Sequence, residues 1–193
     1  MGKRPGTSNI VRIIGGDYRG RRITFPDATG LRPTADRIRE TLFNWLQPVI
    51  VGANCLDLFS GSGALGFEAA SRGAKHVKMI ERNAKVADRL RGNVAELKID
   101  NVDVIKADAL NWISQASSPY NVVFADPPFA DKLLPRVLDG LIESDLLADG
   151  AAVYLESDAN DGFPEMPEGL TLTRDKRAGQ VIYGLARYCV DES

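Results

Sequence analysis

The stretch LDLFSGSGALG, residues 56–66, decides the fold, because it joins a short apolar strand to a helix through a loop with three glycines. Gly61, Gly63 and Gly66 fit the pattern G-x-G-x-x-G, and Glu81 ends the next predicted strand twenty residues after Gly61. This spacing is typical of a dinucleotide-binding loop, in which glycines let a ligand approach the backbone and an acid binds ribose hydroxyls. Any cofactor that contains adenosine has the same two needs, so the spacing alone leaves the cofactor open.

Around this loop, strand-like and helix-like segments alternate along the chain. Apolar strands are predicted at CLDLF, HVKMIE, VDVIKAD, NVVFAD and AAVYLES, with helical segments between them. The alternation predicts an α/β fold with a doubly wound, mainly parallel sheet and right-handed crossovers. The last segment, LTLTRDKRAGQVIYGLARY, predicts two strands around Gly179.

The N-terminal part precedes this alternating body. The segment IVRIIGGDYRGRRITF predicts a β-hairpin, and PTADRIRETLFNWL predicts a helix with Thr34 as its N-cap. We therefore expect two parts, an N-terminal extension over residues 1–48 and a catalytic domain over residues 49–193.

The composition is that of a globular chain. It has 193 residues, 44% of them apolar, and no apolar run long enough to span a bilayer. The first residues lack the apolar stretch of a secretory signal, so we expect a cytoplasmic protein that does not contact a membrane. Cys55 and Cys189 lie far apart in apolar surroundings, which favours buried, reduced thiols. With one histidine, His76, and no cluster of cysteine and histidine, we expect no metal site.

The charge of the chain is unevenly distributed. Residues 1–40 contain nine lysines and arginines and four acids, whereas residues 41–193 contain 15 basic and 22 acidic residues. A basic segment on an acidic body favours an anionic partner that contacts this segment, such as nucleic acid. A solvated basic surface explains the same pattern, so the charge alone leaves both interpretations open.

Three successive predicted strands end in acids, namely Asp57, Glu81 and Asp108. In open α/β sheets, ligands bind at the carboxyl ends of the strands. Asp57 suits a cationic group better than a pyrophosphate, Glu81 suits ribose hydroxyls, and Asp108 suits an adenine edge. S-adenosylmethionine carries an ammonium, a sulfonium, a ribose and an adenine, so the three acids together favour it as the cofactor. Any one of them alone is explained as a helix N-cap, Asp108 most readily.

The fourth strand of the alternating body ends in ADPPF, residues 125–129. Proline has a fixed φ and no N–H, so Pro127 and Pro128 form a rigid turn that offers acceptors and few donors. The Asp126 carboxylate and the Pro127 carbonyl can accept the hydrogens of an amino group on a planar ring, and Phe129 can stack on the ring. Such bonds aim the nitrogen lone pair at a methyl donor and stabilise the developing positive charge. The motif therefore predicts methylation of a ring amine, whereas Asp-Pro alone would indicate a plain turn.

These segments also carry a family resemblance. DLFSGSGALG, IERN and ADPPF resemble the class I, S-adenosylmethionine-dependent amino-methyltransferases. RIIGGDYRGRRI, LRPTADRIRETLFNWL and AGQVIYGL narrow the resemblance, over nearly the whole chain, to the bacterial 16S ribosomal RNA guanine-N2 methyltransferases of the RsmD type. It implies a seven-stranded, Rossmann-like methyltransferase sheet with an antiparallel final strand, preceded by a small β-hairpin and a helix. The Asp-Pro-Pro motif is shared with adenine-N6 enzymes, so the choice of guanine depends on the N-terminal segments.

The resemblance implies roles for individual residues. The methylation site would be formed by Asp126, Pro127, Pro128 and Phe129, the last at a position where the family often has tyrosine. S-adenosylmethionine would be bound by Asp57, Ser60, Gly61, Gly63, Glu81, Arg82, Asp108 and Ala109, with Arg32 and Thr34 near its carboxylate. RNA phosphates would contact Arg12, Arg19, Arg21 and Arg22. The partner would be 16S ribosomal RNA in the small ribosomal subunit, and we expect a monomeric enzyme.

Three other interpretations remain at this point. An adenine-N6 DNA methyltransferase would use the same chemistry, but the chain has no separate domain for recognising duplex sequence. An NAD-dependent oxidoreductase would explain the glycine loop and leave Asp57 and ADPPF without a role. A non-catalytic RNA-binding or ribosome-assembly protein would leave the intact motifs unexplained.

Overall fold

The computed structural model describes residues 9–27 and 34–190. The strands in these ranges are β1 (Asn9–Arg12), β2 (Arg22–Phe25), β3 (Asn54–Asp57), β4 (His76–Glu81), β5 (Val102–Lys106), β6 (Tyr120–Ala125), β7 (Leu147–Asp158), β8 (Leu170–Ala178) and β9 (Val181–Tyr188). The α-helices are α1 (Asp36–Leu46), α2 (Ala64–Ser71), α3 (Ala84–Leu97), α4 (Ala109–Ile113) and α5 (Leu134–Glu143). No helix in these ranges is long and apolar enough to cross a membrane.

Seven of the strands form one sheet in the order β5-β4-β3-β6-β7-β9-β8. Strands β3 to β7 are parallel, and β9, the final strand, is antiparallel to both of its neighbours. The predicted seven-stranded, doubly wound sheet is therefore confirmed, and β1 and β2 form the predicted hairpin. The strand order reverses between β3 and β6, and such a switch point opens a ligand crevice at the carboxyl ends of the strands.

The sheet is covered on both faces. The hairpin, α1, α2 and α3 pack on one face, which we call the front face, while α4 and α5 pack on the other. The hairpin contributes the fully buried Ile23, and α1 contributes Leu42 and Phe43, to the same core as Phe67 of α2. The described residues of the N-terminal extension therefore form part of the front core.

Glu68 of α2 fixes the position of the hairpin. Its fully buried carboxylate accepts the backbone N–H groups of Ile14 and Gly15 at 2.8 and 2.9 Å. Arg39 and Arg72 pair with the same carboxylate at 3.5 and 2.7 Å. A buried charge is tolerated where it is paired and hydrogen-bonded, so these contacts stabilise one placement of the hairpin on the sheet.

Two local predictions are wrong. Ala35, not Thr34, occupies the N-cap position of α1, and no side chain caps this helix. Cys189 is exposed, since it lies beyond the end of β9. Cys55 is buried as predicted, and burial raises the pKa of its thiol to about 12.

Candidate active site

Four acids lie at the carboxyl ends of four adjacent strands on the front face: Glu81 of β4, Asp57 of β3, Asp126 after β6, and Glu156 of β7. Alternation along the strands places them on the same face as the core residues two positions earlier. Within residues 9–27 and 34–190, none of the four forms an ion pair, and no group of histidines, cysteines and acids is arranged to hold a metal ion. Their shared edge is therefore rich in carboxyl groups and complementary to a cationic ligand, which favours their ionised forms.

Asp57 is bound into the glycine loop. It is 3% exposed, and its carboxylate accepts the backbone N–H of Gly66 at 3.1 Å. Burial raises the pKa of Asp57 to about 7, the bond from Gly66 opposes this shift, and the negative charge of Glu81 adds to it. A buried carboxyl group with this pKa takes up or loses a proton near neutral pH, and a nearby cation favours its ionised form.

The backbone of the glycine loop explains why glycine is needed at two predicted positions. Gly61 and Gly63 have φ of 50° and 81°, in the left-handed region that side chains disfavour. A Cβ atom at Gly63 would lie 2.7 Å from side-chain carbons of Leu90 and Phe67. The buried Ser60, also a predicted cofactor residue, donates its hydroxyl to the Asp57 carbonyl at 3.1 Å. The loop is therefore rigid before any ligand binds.

Glu81 and Arg82 connect this loop to other parts of the site. The Glu81 carboxylate accepts the Gly61 N–H at 3.0 Å and the Asn83 N–H at 2.7 Å. The exposed Arg82 pairs with Asp131 at 3.5 Å, in the short 3-10 turn Phe129–Asp131 that follows the two prolines. The ends of β4 and β6 are thus joined by an ion pair on the outside of the crevice.

Asp108 has the alternative role considered above. It is the N-cap of α4, and its carboxylate accepts the backbone N–H of Asn111 at 3.1 Å. The side chain is exposed, while Ala109 is buried beneath it. Because a carboxylate accepts about four hydrogen bonds, capping leaves acceptor sites for an adenine amine, and that role stays a prediction.

The turn after β6 places an acceptor beside an aromatic ring. Asp126 and Phe129 are half-buried, Pro127 is buried and Pro128 is exposed. Burial raises the pKa of Asp126 well above its usual value, and the negative charges of Glu156 and Asp57 raise it further. The pairing of Asp57 with Phe124 and of Leu155 with Ala125 brings both acids close to Asp126, at the point where the predicted amine site and the predicted cofactor site meet.

Glu156 is a further acid at this edge that was not among the predicted site residues. It is 6% exposed, and its carboxylate accepts the hydroxyl of Tyr154 at 2.5 Å. The strand pair Ala125–Leu155 places Glu156 beside Asp126. The signal was present in the sequence, because AAVYLE is an apolar strand that ends in an acid, as the strands before Asp57 and Asp126 do.

The four hairpin arginines, Arg12, Arg19, Arg21 and Arg22, are exposed, and their RNA contacts stay a prediction. Arg12 and Arg22 are direct cross-strand partners. The hairpin turn lies by the C-terminal ends of α2 and α3, where the Asp17 N–H bonds the Ser71 carbonyl and Arg21 bonds the Leu97 carbonyl. Arg32, the remaining predicted cofactor residue, lies outside the described residues.

The chain resembles known proteins over nearly its whole length. Residues 11–187 match the family model described as "Conserved hypothetical protein 95". The chain is 49% identical over 178 residues to ribosomal RNA small subunit methyltransferase D of Escherichia coli K12, covering 92% of this chain and 90% of that protein. It is 41% identical over 185 residues to the protein of the same name from Haemophilus influenzae, covering 94% and 95%. The solved structure of yhhF from Escherichia coli superimposes with a TM-score of 0.88 at 48% identity, covering 94% of this chain and 99% of that one. The chain therefore belongs to the S-adenosylmethionine-dependent ribosomal RNA small subunit methyltransferase D family.

Proposed function

We propose that this protein transfers a methyl group from S-adenosylmethionine to the exocyclic N2 amine of one guanine in small-subunit ribosomal RNA. The observation that carries the proposal is the half-buried Asp126, held by two prolines beside Phe129 and close to Asp57 across the switch point. This geometry supports a planar ring amine as the acceptor and Asp57 as a neighbouring cofactor residue.

The residues present fit the cofactor. S-adenosylmethionine supplies a methyl group attached to a positively charged sulfur, which an amine nitrogen can accept without a metal ion. Asp57 lies at the end of β3, buried and without an ion-pair partner among the described residues, and complements the cationic methionine end. Glu81 binds the ribose and Asp108 the adenine edge, each using acceptor sites left over from its bond to the backbone.

Asp126 and the Pro127 carbonyl accept the two hydrogens of the guanine amine. Two such bonds draw the nitrogen lone pair out of the ring plane and stabilise the charge that develops on nitrogen. The hydrogen bonds also favour the ionised form of Asp126. Once the nitrogen carries the methyl group it must lose a proton, and the raised pKa of Asp126 makes its carboxylate a better proton acceptor than an ordinary aspartate.

The arginine pair of the hairpin supports an RNA substrate. Arg12 and Arg22 lie directly opposite each other, an arrangement that costs free energy in the isolated protein. A phosphate between the two guanidinium groups removes this repulsion. The hairpin turn lies at the C-terminal end of α2 and the glycine loop at its N-terminal end, so the bound RNA extends along a helix of eight residues, about 12 Å long. A folded, assembled substrate such as the small ribosomal subunit can present a base and a phosphate at this spacing together.

The test is methyl transfer by Asp126→Ala with small ribosomal subunits from a strain that lacks this enzyme. We expect a loss of at least ~1000-fold in kcat, because the variant loses the carboxylate that both binds the guanine amine and accepts its proton. Calorimetry should show cofactor affinity within about threefold of wild type, since Asp57 and Glu81 remain. Asp139→Ala, an exposed acid in α5, is the matched control and should be fully active.

Mass spectrometry of the digested RNA identifies the acceptor. N2-methylguanine at one position supports the proposal. Methylation of adenine N6, methylation of DNA in preference to ribosomal particles, or full activity in Asp126→Ala would overturn it. Loss of cofactor affinity in Asp126→Ala would remove Asp126 from the amine site.

A further inference from the structure

Glu156 is a buried carboxylate that the transfer of a methyl group does not by itself require. It lies near the carboxyl end of β7 beside the Asp126 turn, on the front face, and is 6% exposed. In residues 9–27 and 34–190 it has no cationic partner. Burying a second carboxylate next to Asp126 without a cation costs free energy unless hydrogen bonds compensate for the lost water.

The contacts of Glu156 leave room for a ligand. One oxygen, Oε1, accepts the hydroxyl of Tyr154 at 2.5 Å. Burial raises the pKa of Glu156, and hydrogen bonding by the side chains of Tyr154 and Thr34 opposes this shift. Two donors do not fill the roughly four acceptor sites of a carboxylate. The structure therefore places two carboxyl groups side by side, those of Asp126 and Glu156. They lie next to the turn formed by Pro127 and Pro128, which offers few hydrogen-bond donors.

Guanine and adenine differ along the edge that this pair faces. Guanine presents two neighbouring donors, the N2 amine and N1–H, whereas adenine presents a donor amine beside the bare lone pair of N1. A base taken out of its stack is read by hydrogen bonds to this edge. Two adjacent donors bind the ionised forms of both carboxyl groups and so favour ionisation of both. In the ionised state the second carboxylate repels the N1 lone pair of adenine.

We propose that Glu156 accepts the N1–H of the target guanine while Asp126 binds its N2 amine, so that Glu156 determines the choice of guanine over adenine. This inference rests on the proposed function and adds a residue to it. A site built around a hydrogen bond to the substrate strongly rejects an analogue that lacks the donor, because a buried polar group is then left unpaired.

The contribution of the guanine N1–H can be tested with 2-aminopurine, which keeps the 2-amine but has no hydrogen on N1. Small subunits are reconstituted with RNA that carries either guanine or 2-aminopurine at the methylated position. We expect the wild-type kcat/KM to be at least ~100-fold lower for 2-aminopurine.

Glu156→Gln should change this preference in a defined direction. The Tyr154 hydroxyl donates to Oε1, so the glutamine oxygen occupies this position and the amide NH2 group faces the base. The variant then offers a donor where the wild type offers an acceptor. We expect kcat/KM for guanine to fall about 100-fold and that for 2-aminopurine to rise, reducing the ratio between them to below about tenfold.

Glu143→Gln, the same change at an exposed position in α5, is the control and should keep the wild-type ratio. Thermal unfolding and cofactor affinity show whether Glu156→Gln is folded. A purely structural Glu156 would lower activity on both bases equally, and an unchanged ratio overturns the inference. Equal wild-type rates on the two bases overturn it even if the variant does not fold. A wild-type enzyme that does not methylate guanine at all disproves the proposed function instead.

Discussion

Glu81 accepts the backbone N–H of Gly61 at 3.0 Å, and this bond ties the end of β4 to the glycine loop that follows β3. The same carboxylate accepts the N–H of Asn83 at the start of α3. A cofactor ribose bound here therefore meets an acid already fixed by two bonds. Glu81 therefore stabilises the shape of the loop, and we propose that it also binds the ligand.

The two contributions of Glu81 can be separated by two substitutions. Glu81→Ala leaves the Gly61 and Asn83 N–H groups without their acceptor, so we expect a lower Tm and at least ~10-fold weaker cofactor binding. Glu81→Gln keeps an acceptor oxygen, and we expect it to retain most of the Tm while losing affinity. Thermal unfolding and calorimetry give the two readouts. Equal losses of Tm in the two variants would show that the bonds do not support the loop.

Cofactor binding should be linked to the proton on Asp57. The pKa of about 7 leaves this carboxyl mostly protonated at pH 6, whereas a bound cation favours its ionised form. We expect binding to release about one proton at pH 6 and none at pH 8.5, with affinity falling as the pH falls below 7. Calorimetry in buffers of different ionisation enthalpy measures the release. Asp57→Asn should abolish it, and an unchanged release would assign the proton to another group.

The same carboxyl group affects the stability of the free protein. Its pKa is raised on folding from 3.8 to about 7, so the folded state binds the proton more tightly. The stabilisation is complete below about pH 4 and is lost as the pH rises through 7. We expect the free protein to unfold at a higher temperature at pH 5 than at pH 8, and we expect a smaller difference in Asp57→Asn. A pH dependence identical to wild type in this variant would contradict the assignment.

Gly63 should tolerate alanine poorly for a reason beyond its φ. Its φ of 81° resembles the 72° of Gly150, but a Cβ at Gly63 meets Leu90 and Phe67 at 2.7 Å, whereas nothing lies within 4 Å at Gly150. We expect Gly63→Ala to lower the free energy of unfolding by about 3 kcal/mol and Gly150→Ala by about 1 kcal/mol. Urea denaturation measures both. Equal losses would show that the backbone conformation alone matters.

The cross-strand pair of Arg12 and Arg22 predicts opposite effects on stability and binding. Arg22→Gln removes the repulsion, so we expect unchanged or slightly increased stability. Binding to small subunits should weaken, and the slope of log K against log salt should decrease by nearly one unit. Arg136→Gln, an exposed change in α5 on the other face of the sheet, is the control. A normal salt slope in Arg22→Gln would remove this residue from the RNA interface.

Local patterns in the sequence predicted most of the fold, since alternating strands and helices have different hydrophobic periods and the connections are short. Residues whose role depends on distant neighbours were harder to predict. Glu68 lies in the sequence GFEAAS and reads as an ordinary helix residue, yet it is fully buried because the hairpin covers it. Thr34 has the sequence position of an N-cap, but Ala35 takes that position, and the Thr34 side chain instead lowers the pKa of Glu156, more than a hundred residues away. Glu156 lies beside Asp126 because β7 pairs with β6, and the sequence pattern does not show this pairing.

The contacts of the hairpin also order events during protein synthesis. The hairpin is translated before α2 and α3, but it is held by Glu68 and by Asn93, whose side chain bonds the N–H and carbonyl of Thr24. These two residues, in α2 and α3, are added much later. In a growing chain the hairpin therefore lacks these contacts until residue 97, the end of α3, has been added. Because domains generally fold as units, we expect the hairpin to pack on the sheet only after α2 and α3 have been synthesised.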